Sequence, residues 1–79
     1  MVVTNATDAI VALVGSSGRT ASSVSKGLGH SRNYVNVFVT KRQDVQTPTL
    51  ARIARECGYV LTLVPAETDW GEPIEVLPE

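Results

Sequence analysis

Gly29 is the residue that most restricts how this chain can fold. On either side of it lies a short run with its own helix start signal: Thr20 before Ala21–Leu28, and Ser31 before Arg32–Thr40. Ser and Thr side chains accept hydrogen bonds from the orphan N–H groups of a first helical turn. Gly adopts the left-handed conformation that ends a helix at little steric cost. The two runs therefore read as two helices joined by the tight turn Gly29-His30-Ser31, with Gly29 as the C′ residue of the first. Neither run reaches the length, about 12–15 residues, at which an isolated helix holds in water. Each must be held by the rest of the chain. Ser22, Ser23 and Ser25 keep the first one slender, so a neighbouring helix can approach closely.

The second run contains an internal conflict. Tyr34-Val35-Asn36-Val37-Phe38-Val39-Thr40 alternates β-branched residues and taken alone reads as a strand. At about 100° per residue, a helix places Val35, Phe38 and Val39 on one side and Arg32, Asn33, Asn36 and Thr40 on the other. A strand would place Asn36 and Phe38 on one face, which suits a half-buried strand poorly. The Gly29 turn and the Ser31 cap favour the helix. Val37 is then left near the polar edge as an exposed valine.

Two further helices are expected around this pair. One runs from about Asn5 to Ser16, capped by Thr4 or Asn5, with Asp8 in its first turn and Ile10, Leu13 and Val14 as its apolar stripe. Gly15 and Gly18 end it. The other opens at Thr47-Pro48, an N-cap followed by Pro at the first helical position, and stops at Gly58. Leu50, Ile53 and Ala54 face inward, and Arg52, Arg55 and Glu56 face out. Lys41 to Gln46 forms a polar connector before it.

After Gly58 the period changes. Tyr59 to Val64 is a continuous β-branched apolar run and reads as a strand; Ile74 to Leu77 is a shorter alternating run between two prolines, able to pair with it as a hairpin. The expected architecture is mainly α: four helices with a short C-terminal β-strand or hairpin. Residues 1–58 form the helical body. Residues 59–79 form the strand region and acidic tail, an element of the same domain suited to dimerisation.

At 79 residues one domain is expected, and chains this short bury only about 60% of their unfolded surface, so a second copy would help. The hydrophobic content of 43% excludes a disordered chain. No apolar run approaches the ~18 residues of a membrane span, and the first residues lack the basic segment of a signal peptide. A single cysteine cannot form an internal disulfide, which points to the reducing cytosol.

The formal net charge is only −1, but it is unevenly spread. All seven basic residues lie between Arg19 and Arg55, where Asp44 is the one acid, leaving +6. From Ala66 onward Glu67, Asp69, Glu72, Glu75 and Glu79 stand without a base, giving −5. Such a division fits a solvated helical surface with an acidic tail, and equally a basic surface facing nucleic acid.

No catalytic set, metal spacing or nucleotide loop is present, so an enzyme, a metal and a cofactor are not expected. His30 and Cys57 stand 27 residues apart in the sequence on different predicted helical elements. Cys57 reads as a small core residue and His30 as a surface residue or phosphate neighbour. Trp70 is either a partner anchor or, more commonly for a single Trp, packed in its own loop.

Taken in order, several features resemble the lambda-repressor-like, Cro/CI-type (XRE) helix-turn-helix family, in particular its small antitoxin-like or prophage members. They are the pair Val24 and Leu28, the turn Gly29-His30-Ser31, the helix start Ser31-Arg32-Asn33-Tyr34-Val35, Phe38, the Lys41-Arg42 connector, Thr47-Pro48-Thr49-Leu50-Ala51-Arg52-Ile53-Ala54, and Gly58-Tyr59 before a strand. The likeness covers about half the chain well. A strand stands where the family usually adds a fifth helix, and Ala21 stands where it commonly has a phosphate-binding Gln.

The resemblance implies double-stranded DNA as partner, with the helix Arg32–Thr40 in the major groove. The side chains agree on their own chemistry. Arg32 can fork onto guanine, Asn33 and Asn36 can pair with adenine, Thr40 lies further along the same face, and Val37 can touch a thymine methyl. Lys41 and Arg42 reach phosphates, and the caps Thr20 and Ser31 mark helix N-termini that favour them. A homodimer would present two such helices to successive grooves. The alternative is a protein-interaction module or antitoxin-like adaptor that binds a partner protein through its C-terminal strand.

Overall fold

The computed structural model describes residues 1–67 and 71–78. Four helices, α1 (Ala6–Ser17), α2 (Ala21–Gly27), α3 (Tyr34–Thr40) and α4 (Thr47–Glu56), precede two short strands, β1 (Leu61–Leu63) and β2 (Ile74–Val76). The chain is mainly helical, as its patterning predicts, and the valine alternation of residues 34–40 folds as helix. Helix α2 packs on α3, α1 packs on both α3 and α4, and β1 rests on α4.

The core forms where the four apolar stripes meet. Ile10, Val24, Val35, Ile53 and Cys57 are buried together, with Leu13, Val14, Leu28, Phe38, Val39 and Leu50 packed around them. Each expected stripe contributes to it. Ala51 is also fully buried, and Val45 packs on the cluster, so the connector is less polar than its sequence suggests.

Local signals account for most of the helix ends. The Asn5 side chain accepts the Asp8 N–H at 2.8 Å and caps α1. The Thr20 hydroxyl accepts the Ser23 N–H at 3.0 Å and caps α2. At the end of α2, Gly29 turns left-handed at φ 81°. The Gly29 N–H then reaches the Lys26 carbonyl and the His30 N–H reaches the Ser25 carbonyl, the paired bonds of a Schellman motif. Gly58 and Tyr59 close α4 in the same way onto Arg55 and Ala54.

Three start and stop assignments are corrected. Helix α1 passes through Gly15 and ends only where Gly18 turns to φ 73°, because Gly15 has no need of a positive φ inside a packed helix. Helix α3 starts at Tyr34, with Arg32 and Asn33 in the preceding turn, and Ser31 does not cap it. The Ser31 carbonyl accepts the Tyr34 N–H instead, and the Val35 N–H is taken by Ser25 from α2. Helix α4 begins at Thr47, after Gln46, without a side-chain cap. Pro48 needs none, since it has no N–H.

The strands pair antiparallel, Leu61 with Val76, Thr62 with Glu75 and Leu63 with Ile74. Both are shorter than the apolar runs that contain them. Leu61, Leu63, Ile74 and Val76 therefore share one face. Leu61 and Val76 are half-buried, while Leu63 and Ile74 are about three-fifths exposed. The radius of gyration, 13.1 Å, exceeds the roughly 12 Å of a compact chain of this length, consistent with a molecule 43 Å long and 22–23 Å across.

Candidate nucleic-acid interface

Ser25 positions this surface. Its side chain is fully buried between α2 and α3. The hydroxyl donates to the Ala21 carbonyl at 2.7 Å and accepts the Val35 N–H at 2.9 Å. One oxygen thus joins the body of α2 to the first turn of α3 and satisfies a donor that a helix start leaves orphaned. Sequence reasoning credited Ser25 only with being small. A Ser flanked by Val24 on a core-facing stripe was the available signal that its hydroxyl would need a buried partner.

With α3 fixed in this way, its sides divide. Val35 is buried, and Tyr34, Phe38 and Val39 are half-buried. Arg32, Asn33, Asn36 and Thr40 are exposed, as are Lys41 and Arg42 beyond the helix. Arg32 and Asn33 present themselves from the turn that leads into α3 rather than from the helix itself. The Thr40 hydroxyl donates to the Asn36 carbonyl at 2.9 Å, so its hydrogen is committed and its lone pairs and methyl remain. Val37 is half-buried, not an exposed valine, though it is not among the side chains packed on the core.

Arg42 adopts φ 50°, a left-handed conformation unusual for a residue with a Cβ. It turns the chain sharply after α3. Thr20 and Ser31 are exposed. The Thr20 hydroxyl oxygen is occupied as a cap, and Ser31 marks no helix terminus.

An aromatic column backs the turn. The His30 ring stacks on Tyr34 at 3.7 Å and 5°, and Tyr34 meets Phe38 edge-on at 5.3 Å. Tyr34 and Phe38 are four apart on one flank of α3, and His30 joins them from the turn before the helix. His30 and Tyr34 also border a small cleft with Arg52 and Thr49 of α4.

The positive charge is distributed accordingly. Lys26, Arg32, Lys41, Arg42, Arg52 and Arg55 are exposed. Arg19 is not available. Its guanidinium bridges the Glu56 carboxylate at 2.6 Å, donates to the Glu56 carbonyl at 2.9 Å, and holds the Ser23 carbonyl and hydroxyl at 3.0 and 3.2 Å. Glu56 therefore faces α2 rather than solvent. A Cβ on Gly27 would press on this carboxylate, the movable end of a flexible side chain.

No cluster of three metal-ligating side chains occurs among the described residues. Cys57 is buried and free, and burial pushes its thiol up, with a Ser17 hydrogen bond and Arg19 pulling the other way. Among the described residues no helix is long and apolar enough to cross a membrane. Trp70 and Asp69 lie outside the described residues. A second surface has no counterpart in the sequence pattern: an open apolar groove of about 460 Å³ between α1, α4 and β1, lined also by Met1 and Val3. No family model, curated protein or solved structure matches the chain.

Proposed function

We propose that the protein is a sequence-specific duplex-DNA-binding transcriptional regulator of the lambda-repressor-like helix-turn-helix kind, a repressor acting in the cytosol as a homodimer. Helices α2 and α3 form the motif, and the polar side of α3 lies in the major groove. The observation that carries this reading is the division of α3. Arg32, Asn33, Asn36 and Thr40 are free in solvent, while Val35 behind them is buried and bonded through its N–H to Ser25.

Base contacts in such motifs come from the N-terminal end of the second helix. Arg32 and Asn33 lie in the turn that leads into that end. Their donor and acceptor patterns match guanine and adenine edges, and Asn36 continues the same strip. Val37 contributes at most its outer methyl to a thymine. Lys41 and Arg42 hold phosphates and fix register. Thr20 marks the N-terminus of α2, whereas Ser31 marks no helix end and offers phosphate only its exposed hydroxyl.

The test is a duplex selected from a random pool, titrated by fluorescence anisotropy over a salt series. Arg32→Ala is expected to cost about 1–3 kcal/mol on the selected site and to relax base preference. Lys41→Ala is expected to weaken all sequences alike and to lower the salt slope by about one. Parent-like binding by both variants refutes the assignment. The exposed apolar hairpin favours a second reading, an antitoxin-like adaptor that binds a partner protein by strand addition. That reading expects no enrichment of any duplex and no effect of Arg32 on partner binding.

A further inference from the structure

We propose that the apolar groove between α1, α4 and β1 receives the β-hairpin of a second copy of this chain, and that the exchange is reciprocal. This names the surfaces of the homodimer proposed above, and rests on that reading only for its use on DNA.

The groove is open and holds about 460 Å³. Ala12 and Leu13 of α1, Leu50 and Ala54 of α4, and Tyr59 and Val60 before β1 form its walls, and no charged side chain lines it. Water in such a site gains few hydrogen bonds, so apolar surface is its favoured occupant. The chain's own hairpin is anchored beside the groove by Tyr59 to Leu61 and leaves it open. Beyond that anchor Leu63 and Ile74, on the same face as Leu61 and Val76, are more than half exposed, as are Val64 and Leu77 just past the strands. Its apolar face thus begins under cover on α4 and runs out into solvent.

These two features complement each other, and one molecule carries both. A single patch that holds both a groove and the residues to fill it is what a two-fold interface requires. A short peptide seated in the groove beside Met1 and Val3 would leave Leu63 and Ile74 uncovered, whereas a second copy covers groove and hairpin together. The area is adequate as well. At roughly 60–120 Å² of apolar surface per side chain, the partly exposed Tyr59, Val60, Leu63, Val64, Ile74 and Leu77 offer on the order of 400 Å² per copy. Two copies at the ~65% apolar content of homodimer interfaces reach about 1,200 Å², the lower bound of a stable interface. Neither α2 nor α3 contributes to the groove wall, so docking leaves Arg32, Asn33 and Asn36 free.

Sedimentation equilibrium on the full chain, with circular dichroism to verify folding, tests the arrangement. The parent is expected to dimerise below roughly 100 μM. Ile74→Arg on the hairpin and Ser16→Arg on the groove rim both change exposed positions, and each is expected to raise the dissociation constant at least about tenfold. Mixed one to one, the two variants regain association, because the mixed pair keeps one intact hairpin–groove contact. A parent that stays monomeric overturns the proposal and leaves the arm to a foreign partner. Parent-like dimerisation of Ser16→Arg overturns it in favour of hairpins pairing with each other. A mixture no tighter than its components overturns it too. The DNA reading is separable: a monomeric parent that still binds a selected half-site refutes the docking alone, and a dimer without DNA affinity refutes the DNA role alone.

Discussion

Replacing Ser25 with alanine is expected to unfasten α2 from α3 at the cost of a single oxygen. The buried hydroxyl accepts the Val35 N–H at 2.9 Å, and nothing else among the described residues takes that donor. Leaving a buried N–H unsatisfied costs about 1–3 kcal/mol. The Ala21 carbonyl, which receives the hydroxyl at 2.7 Å, keeps the backbone donor that the helical ladder supplies, so its loss is small. Alanine recovers about 0.5 kcal/mol of helix propensity. The net cost is about 1–2 kcal/mol, out of roughly 4–12 kcal/mol for a domain of this length. At 4–8 °C per kcal/mol, Tm should fall by about 5–15 °C. Urea denaturation and thermal circular dichroism read this out, and hydrogen exchange should show the Val35 amide losing protection first. Ser22→Ala is the control, because Ser22 is half-buried and makes no side-chain hydrogen bond among the described residues; it should stay within about 0.5 kcal/mol of the parent. If Ser25→Ala proves as stable as Ser22→Ala, the hydroxyl does not carry the junction.

Other consequences follow from the same geometry. Asn5→Ala removes the α1 cap and should cost about 0.5–2 kcal/mol in urea denaturation. Gly27→Ala should be close to neutral in the parent, where the new methyl displaces the Glu56 carboxylate, and stabilising by up to about 1 kcal/mol in a Glu56→Ala background; equal effects in both would show that the contact is not felt. Arg42→Gly should raise stability by up to about 1 kcal/mol by relieving a left-handed backbone, yet weaken duplex binding at every sequence. The raised Cys57 thiol favours the folded state only while protonated. Its contribution is complete below the ordinary thiol value and is lost as pH climbs from there through the raised one, so Cys57→Ser should flatten the alkaline limb of a stability–pH curve.

Much of the fold is legible because its punctuation is local. Thr20, Gly29 and Gly58 act within one turn of themselves, and the left-handed glycines sit where a helix must stop. The core stripes are equally readable, since Ile10, Val24, Val35 and Ile53 obey helical spacing. What local rules miss is long-range chemistry. Ser31 reads as a cap, but Ser25, ten residues before Val35, satisfies the first turn of α3 from another helix. Glu56 reads as outward, but Arg19, far away in sequence, turns it toward α2. The strands shorten for a related reason: β-branched runs mark where pairing is possible, and the partner strand decides how much of it occurs. In the candidate site, side-chain chemistry is readable and exposure is not. Arg32, Asn33, Asn36 and Thr40 stand in solvent as expected, whereas Val37 is half-covered and the apolar groove has no signature, being lined by residues from three separate elements.

The proposed contact between the polar side of α3 and DNA can be mapped residue by residue, by amide chemical shifts of the full chain titrated with a selected duplex. Perturbations are expected from Ser31 to Arg42, with the amides of Leu61–Leu63 and Ile74–Val76 unmoved between the protein alone and its complex at the same protein concentration. Perturbations confined to the hairpin, or none at saturating duplex, would contradict it.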